Sequence, residues 1–159
     1  MEKVKTIKVA PSRCIGCLNC ELACASRDWD KYFPSGSKIN LVFFKSGGQA
    51  PVTCLHCDDA PCLKVCRTGA LIRDDLTKAI VVDGQRCIGC RTCVSVCPFG
   101  NIAYSSAASK AEKCDKCSGR PRCVAACPSG ALTFVEEQEI APTRRREFAK
   151  LLLEATKEP

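Results

Sequence analysis

Apolar residues in this chain come in short bursts broken by Gly, Asp and Pro rather than in long runs. Stretches rich in β-branched and aliphatic residues predict strands at Lys5–Ala10, Ala70–Arg73, Ala79–Asp83, Asn101–Ser105 and Ala131–Glu136, with a further one at Lys38–Phe44. Helices of one or two turns are expected at Cys20–Cys24, Arg91–Cys97, Arg122–Cys127 and Pro61–Cys66, the last with Pro at its start. Each of these would carry the last cysteine of a group. Sustained helical periodicity occurs in one place, between Pro142 and Thr156, where Phe148, Leu151, Leu152 and Ala155 fall at i, i+3, i+4 and i+7. A helix this short is marginal alone, so its apolar stripe must pack on its own domain or on a larger subunit. The longest aliphatic runs, Ala79–Val82 and Leu151–Leu153, fall far short of the roughly 20 residues of a membrane span. Met1–Lys8 contains no apolar core of a secretory signal, so a cytoplasmic chain without a membrane span is expected.

Composition changes the picture. Sixteen cysteines stand among 159 residues, and they are counted within the 46% hydrophobic content. With only one Trp, two Tyr and six Phe, the chain has too few large side chains for a dense conventional core. Something other than burial must hold it together. In a reducing compartment, eight disulfides are improbable and metal-bound thiolates are expected.

The cysteines fall into four quartets: Cys14, Cys17, Cys20, Cys24; Cys54, Cys57, Cys62, Cys66; Cys87, Cys90, Cys93, Cys97; and Cys114, Cys117, Cys123, Cys127. The first and third read C-x2-C-x2-C-x3-C, the run with which bacterial ferredoxins hold cubane [4Fe–4S] clusters. The second and fourth are looped variants, C-x2-C-x4-C-x3-C and C-x2-C-x5-C-x3-C. Three thiolates on a short loop suit three iron corners of one cube, while the fourth points away towards another. A zinc site usually takes one CxxC knuckle from each of two separated turns, which a third close cysteine fits badly. A zinc-stabilised interaction module is therefore the alternative rather than the main reading.

Flanking residues reveal a repeat. Arg13-Cys14-Ile15-Gly16-Cys17 recurs as Arg86-Cys87-Ile88-Gly89-Cys90. The exits Cys66-Arg67-Thr68-Gly69-Ala70-Leu71, Cys97-Pro98-Phe99-Gly100-Asn101-Ile102 and Cys127-Pro128-Ser129-Gly130-Ala131-Leu132 share one frame, with Gly suited to a positive-φ turn and an aliphatic residue to pack near a cluster. The first quartet breaks the frame, since Cys24 is followed by Ala25-Ser26-Arg27. Between it and the second quartet lies an insertion, 25–53, whose Trp29, Tyr32 and Phe33 are expected to shield the first cluster from water, with docking of a partner as the alternative.

Taken together, these motifs and the signature Cys54-Leu55-His56-Cys57-Asp58-Asp59-Ala60-Pro61-Cys62 resemble the four-cluster ferredoxin-like iron–sulfur subunit of multisubunit oxidoreductases, which serves molybdenum and tungsten enzymes, hydrogenases and carbon monoxide dehydrogenases. The resemblance implies an α+β fold of two fused bacterial ferredoxin-like modules, short antiparallel strand pairs and short helices around four [4Fe–4S] clusters, followed by a C-terminal amphipathic helix. The implied division is an outer module, 1–24 with 105–136, the insertion 25–53, an inner module 54–104 and a tail 137–159. Partners would be a large catalytic subunit and a second, flavin- or NAD-linked, electron-carrying subunit. Ala25 and Arg67 depart from the Pro that often follows the last cysteine of such runs.

Two wirings compete for the fourth cysteines, because in two-cluster ferredoxins each motif's fourth cysteine serves the other cluster. A tandem arrangement would exchange Cys24 with Cys66. A nested one is favoured by the short segment Arg67–Arg86, with its Gly turn, two strand signals and Asp-Gly turn, and the resemblance implies it too. Its four sites would be Cys14, Cys17, Cys20 with Cys127; Cys114, Cys117, Cys123 with Cys24; Cys54, Cys57, Cys62 with Cys97; and Cys87, Cys90, Cys93 with Cys66.

Charge and the remaining residues add little else. The formal net charge of +7 is offset once four oxidised cubes with their thiolates contribute about −2 each, leaving about −1. Cations such as Arg13, Lys64, Arg67, Arg86, Arg91, Lys113, Lys116, Arg120 and Arg122 then read as counter-charge, and no basic stripe with interleaved aromatics points to nucleic acid. Arg144-Arg145-Arg146 reads as a solvated helix face. The one histidine, His56, sits between cysteines, where packing or a hydrogen bond suits it better than acid–base work. The chain is expected to relay electrons and not to catalyse by itself.

Overall fold

The computed structural model describes residues 4–27, 36–45 and 47–136. Trp29, Tyr32, Phe33 and the whole tail, with Arg144–Arg146 and its apolar stripe, lie outside the described residues.

Among the described residues, four separate two-stranded antiparallel sheets form the frame. Strand β1 (Lys5–Val9) pairs with β8 (Leu132–Glu136), Ile7 lying opposite Phe134, so the two ends of the described chain are tied together. Within that clasp sit the hairpins β2–β3 (Ile39–Phe43, Gln49–Thr53), β4–β5 (Leu71–Arg73, Ile80–Val82) and β6–β7 (Ala103–Ser105, Lys110–Glu112). The five strands expected around the quartets, and the one at Lys38–Phe44, all form, each trimmed by one or two residues. Strands β3 and β7 have no such signal: β3 holds Pro51 at its centre, and β7 reads Lys-Ala-Glu.

The helices are short: α1 (Asn19–Ala25), α2 (Pro61–Lys64), α3 (Thr92–Val96) and α4 (Arg122–Ala125). Helix α1 packs against α4, and α2 against α3. Each buries the third cysteine of its quartet: Cys20, Cys62, Cys93 and Cys123. The expectation that each helix also carries the fourth cysteine holds only for Cys24. Cys66 and Cys127 lie beyond α2 and α4, and Cys97 caps α3 in an extended conformation, because the chain must leave the helix to enter the Gly turn.

Two small cores result. One gathers Ile7, Cys20, Ile39, Cys123 and Leu132; the other gathers Ala60, Cys62, Leu71, Ile80, Cys93, Ile102 and Ala111. Among the described residues, Ile39 and Ile80 are the largest side chains that are fully buried, one in each core. Cysteine occupies the positions at which an ordinary domain would place leucine or phenylalanine. Among the described residues no helix is long and apolar enough to cross a membrane.

Candidate metal centres

The first and third quartets begin on loops that expose one cysteine each, Cys17 and Cys90, and the last three quartets end in a turn that supplies N–H groups. In the exits after Cys66, Cys97 and Cys127, Gly69, Gly100 and Gly130 adopt φ of +60°, +63° and +65°. That left-handed turn folds the following backbone over the sulfur. Partial burial pushes the Cys66 thiol up, but hydrogen bonds from the Leu71 N–H, the Thr68 hydroxyl and the Ala70 N–H outweigh it and hold the thiol below its usual range. Cys127 is held down in the same way, against its burial, by Leu132, Ser129 and Ala131. In the third exit, the Asn101 N–H lies 3.4 Å from Cys97 Sγ. The aliphatic residues of the frame, Leu71, Ile102 and Leu132, are all buried beside cysteines.

The first quartet, which lacks the frame, obtains its donor from elsewhere. The Lys38 N–H, just before β2, lies 3.2 Å from Cys24 Sγ. The β2–β3 hairpin also clasps the Cys14–Cys20 loop: Gln49 Nε2 donates to the Cys14 carbonyl at 2.6 Å, and the Glu21 carboxylate accepts from the Leu41 N–H at the strand edge. So the described part of the insertion serves the first quartet directly. Nothing in the local sequence of the quartet announces this.

Cavities bring the cysteines together across the chain. Cys14, Cys17, Cys20 and Cys127 line one, with Ile15 and Leu18 at its mouth. Cys54, Cys57, Cys62 and Cys97 line a second. Cys87, Cys90, Cys93 and Cys66 line a third, and Cys114, Cys117, Cys123 and Cys24 share the fourth. Each cavity therefore has three sulfurs from one loop and one from the exit of another quartet. All sixteen cysteines are unpaired by disulfides. Among the described residues no three His, Cys, Asp or Glu side chains converge as they would around a single metal ion.

The second and fourth cavities meet at a buried, cation-rich junction. Lys113 and Lys116 are buried, the Lys116 ammonium donating to the carbonyls of Lys5 and Thr77 at 2.9 Å and so tying β1 to the β4–β5 turn. Lys113 Nζ lies 2.7 Å from Cys54 Sγ. Arg73 fixes the Cys54–Asp58 loop by donating to the carbonyls of His56, Cys57 and Asp58, the shortest of these 2.6 Å to Cys57. Burial, then the charges of Lys113, Lys116 and Arg73, push His56 down to about 3, so it is neutral. Its Nδ1 accepts from the Ile80 N–H at 2.9 Å, which leaves the proton on Nε2, a buried donor with no partner among the described residues. Burial pushes the Cys114 thiol up to about 11 and Cys123 up to about 12. Without a metal these two buried thiols stay protonated at neutral pH, and a bound metal centre would have to enforce the thiolate form. Of these junction residues only Lys113, Lys116 and His56 stood out by sequence; Arg73, Gln49 and the Lys38 N–H reach their cysteines only through the fold.

The donor chemistry fits an iron–sulfur cofactor: four cysteine sulfurs per cavity, and N–H or O–H donors aimed at sulfur. Comparisons with known proteins agree. Residues 48–137 match the model of a 4Fe-4S dicluster domain, and residues 11–27 match that of a 4Fe-4S binding domain. The polyferredoxin-like subunit of an aliphatic sulfonate oxidoreductase from Pyrococcus furiosus is 36% identical over 116 residues, covering 73% of this chain and 67% of that one. The protein NrfC of Escherichia coli is 36% identical over 112 residues, covering 65% of this chain and 49% of its own. UacF of Escherichia coli is 35% identical over 157 residues, 91% of this chain but 24% of that longer one. Among solved structures, a chain of the active site complex BamBC of benzoyl coenzyme A reductase, in complex with zinc, superposes with a TM-score of 0.50 at 18% identity, covering 99% of this chain and 100% of that one, which is a likeness of fold.

Proposed function

The chain belongs to the 4Fe-4S dicluster domain family, and on that premise we propose that it relays single electrons through four [4Fe–4S] clusters between the catalytic subunit of an oxidoreductase and a second donor or acceptor. The observation that carries this reading is the set of four cavities, each lined by four cysteines drawn from two quartets. The ligand sets are those of the nested wiring. Cys14, Cys17 and Cys20 act with Cys127; Cys114, Cys117 and Cys123 with Cys24; Cys54, Cys57 and Cys62 with Cys97; Cys87, Cys90 and Cys93 with Cys66. When bound, each cube takes up and returns one electron without a bond being made or broken.

The protein's part is to hold potential and access. N–H groups at Cys24, Cys97 and the exits after Cys66 and Cys127 stabilise charge on sulfur, and apolar side chains keep water from it. Two fused ferredoxin-like modules are supported by the packing of α1 on α4 and of α2 on α3. The outer module is 1–24 with 105–136, the inner is 54–104, and the insertion 25–53 lies between; hairpin β6–β7 bridges them across residue 105. The partner is a large catalytic subunit of the molybdenum, tungsten or similar class, in keeping with the relative named as a subunit of a sulfonate oxidoreductase. A second subunit, flavin- or NAD-linked or another electron acceptor, completes the reading, in a reducing cytoplasm.

Iron and acid-labile sulfide analysis of the holoprotein tests it. About 16 of each per chain, with a brown absorption that bleaches on reduction, is the expected result. Saturation at about 8 iron, or at about four zinc with no colour, would overturn it.

A further inference from the structure

Lys113 is an unusual neighbour for a metal-ligating sulfur. It is 8% exposed, and its Nζ stands 2.7 Å from Cys54 Sγ, while Lys116 and Arg73 spend hydrogen bonds on backbone carbonyls. Lys113 immediately precedes Cys114 in the chain and lines both junction cavities, the one of Cys54, Cys57, Cys62 and Cys97 and the one of Cys24, Cys114, Cys117 and Cys123. Its backbone thus belongs to one cysteine loop while its ammonium reaches the sulfur of another.

We propose that Lys113 sets the redox balance of the relay at this junction, its ammonium selectively stabilising the reduced form of the cube held by Cys54, Cys57, Cys62 and Cys97. The inference rests on the four-cluster reading above. Reduction adds one electron, and one negative charge, to a cube and its thiolates. A cation bonded to a ligand sulfur attracts the reduced state more than the oxidised one, and burial limits the screening of that attraction. The cube of Cys87, Cys90, Cys93 and Cys66 offers a contrast: Arg67 and Arg91 line its cavity, Arg91 over the Tyr104 ring, but the side chains paired with its sulfurs Cys90 and Cys66 are the hydroxyls of Thr92 and Thr68, at 3.5 Å and 3.7 Å. A neutral hydroxyl cannot supply the same charge. An electron arriving at the inner module is therefore drawn towards the junction with the outer one. Lys113 touches a ligand and not the reacting partner, so it is a positioning residue for charge.

The test compares the holoproteins of wild type, Lys113→Met and Lys113→Arg by iron analysis and by potentiometric titration followed by electron paramagnetic resonance. Lys113→Met should keep all the iron yet lower one cube's reduction equilibrium at least tenfold, about 59 mV for a one-electron couple. Lys113→Arg, which keeps the charge, should restore most of that shift. Unchanged midpoints in Lys113→Met with full iron would overturn the inference, as would Lys113→Arg shifting as far as Lys113→Met, since packing would then be the cause. Should Lys113→Met fail to take up iron, wild-type protein labelled with ¹⁵N at the lysine side-chain nitrogen alone decides the matter, since the backbone N–H groups of Lys38 and Lys116 also face cysteine sulfurs. A lysine nitrogen coupled to a reduced cube supports the inference, and none overturns it. Wild-type protein that holds no cubes would defeat the four-cluster reading itself, whereas full cubes with unmoved midpoints defeat only the role of Lys113.

Discussion

The four cavities are not equivalent. Around Cys14–Cys20 and Cys87–Cys93, the second cysteine of each loop, Cys17 and Cys90, is exposed, and the flanking Ile15 and Ile88 are 64% and 71% exposed. Around Cys54–Cys62 and Cys114–Cys123, burial dominates, with His56, Lys113 and Lys116 sealed between the two loops. The first kind of site comes from the Arg-Cys-Ile-Gly-Cys repeat, the second from the looped motifs. Short loops leave sulfur near the surface, where a partner can approach, and longer loops wrap it where only another site is near. A relay needs both, exposed ends and an insulated middle.

The most drastic way to break this comparison is to remove the metal. With one large fully buried side chain in each core, the polypeptide alone has little to hold either region, so both should unfold together. Calorimetry of chelated protein should lose its cooperative transition; an intact transition in either half would show that region to be independent of metal.

Next in size is the loss of one cube. Cys127→Ser should disturb the exposed site of Cys14, Cys17 and Cys20, and Cys24→Ser the buried site of Cys114, Cys117 and Cys123, each read as one altered magnetic-resonance signal. Under tandem wiring Cys127→Ser would alter the Cys87 site instead.

The two exposed sites can then be separated from each other. Gly16 and Gly89 both adopt φ of +71°, yet a Cβ at Gly16 would sit 3.5 Å from Gln49 and Phe43 side chains, whereas at Gly89 it would lie 2.3 Å from the Ser109 carbonyl oxygen. Ala at position 16 should cost about 1–2 kcal/mol for the left-handed backbone alone. At position 89 the clash adds about 1–3 kcal/mol, measured as a larger fall in midpoint on denaturant unfolding. Equal losses would mean that the β6–β7 turn yields freely.

The smallest effect expected is kinetic. A membrane-impermeant oxidant such as ferricyanide should strip iron in two phases, about half of it at least tenfold faster, a difference of about 1.4 kcal/mol in barrier. A single phase would erase the distinction between ends and middle.

Much of this was legible because cysteine spacing is a covalent ruler. The quartets, the two Arg-Cys-Ile-Gly-Cys loops and the Gly turns after Cys66, Cys97 and Cys127 are local features, and each adopts the turn its residues favour. Strand β3 was not legible, because Pro51 argues against a strand unless one edge is free, as it is in a two-stranded sheet. Strand β7 is polar and owes its form to β6 across the turn. Most opaque were the contacts that complete a site from afar: the Lys38 N–H on Cys24, Lys113 on Cys54, and Arg27 paired with Asp115 beside Cys117. Sequence separation hides such contacts, since only the closed fold decides which distant residues meet.

The pairing of β1 with β8 sets a timetable for biosynthesis. Lys5 finds its partner only at Glu136, so of the described strands the first to be synthesised is the last to be satisfied. Helix α1 likewise waits for α4, while α2 and α3 can meet early. A nascent chain would therefore assemble from its middle outwards, holding an unpaired strand and four reactive thiols in the open meanwhile. In such an order the cysteines of the first loop are the ones exposed longest before their site can close.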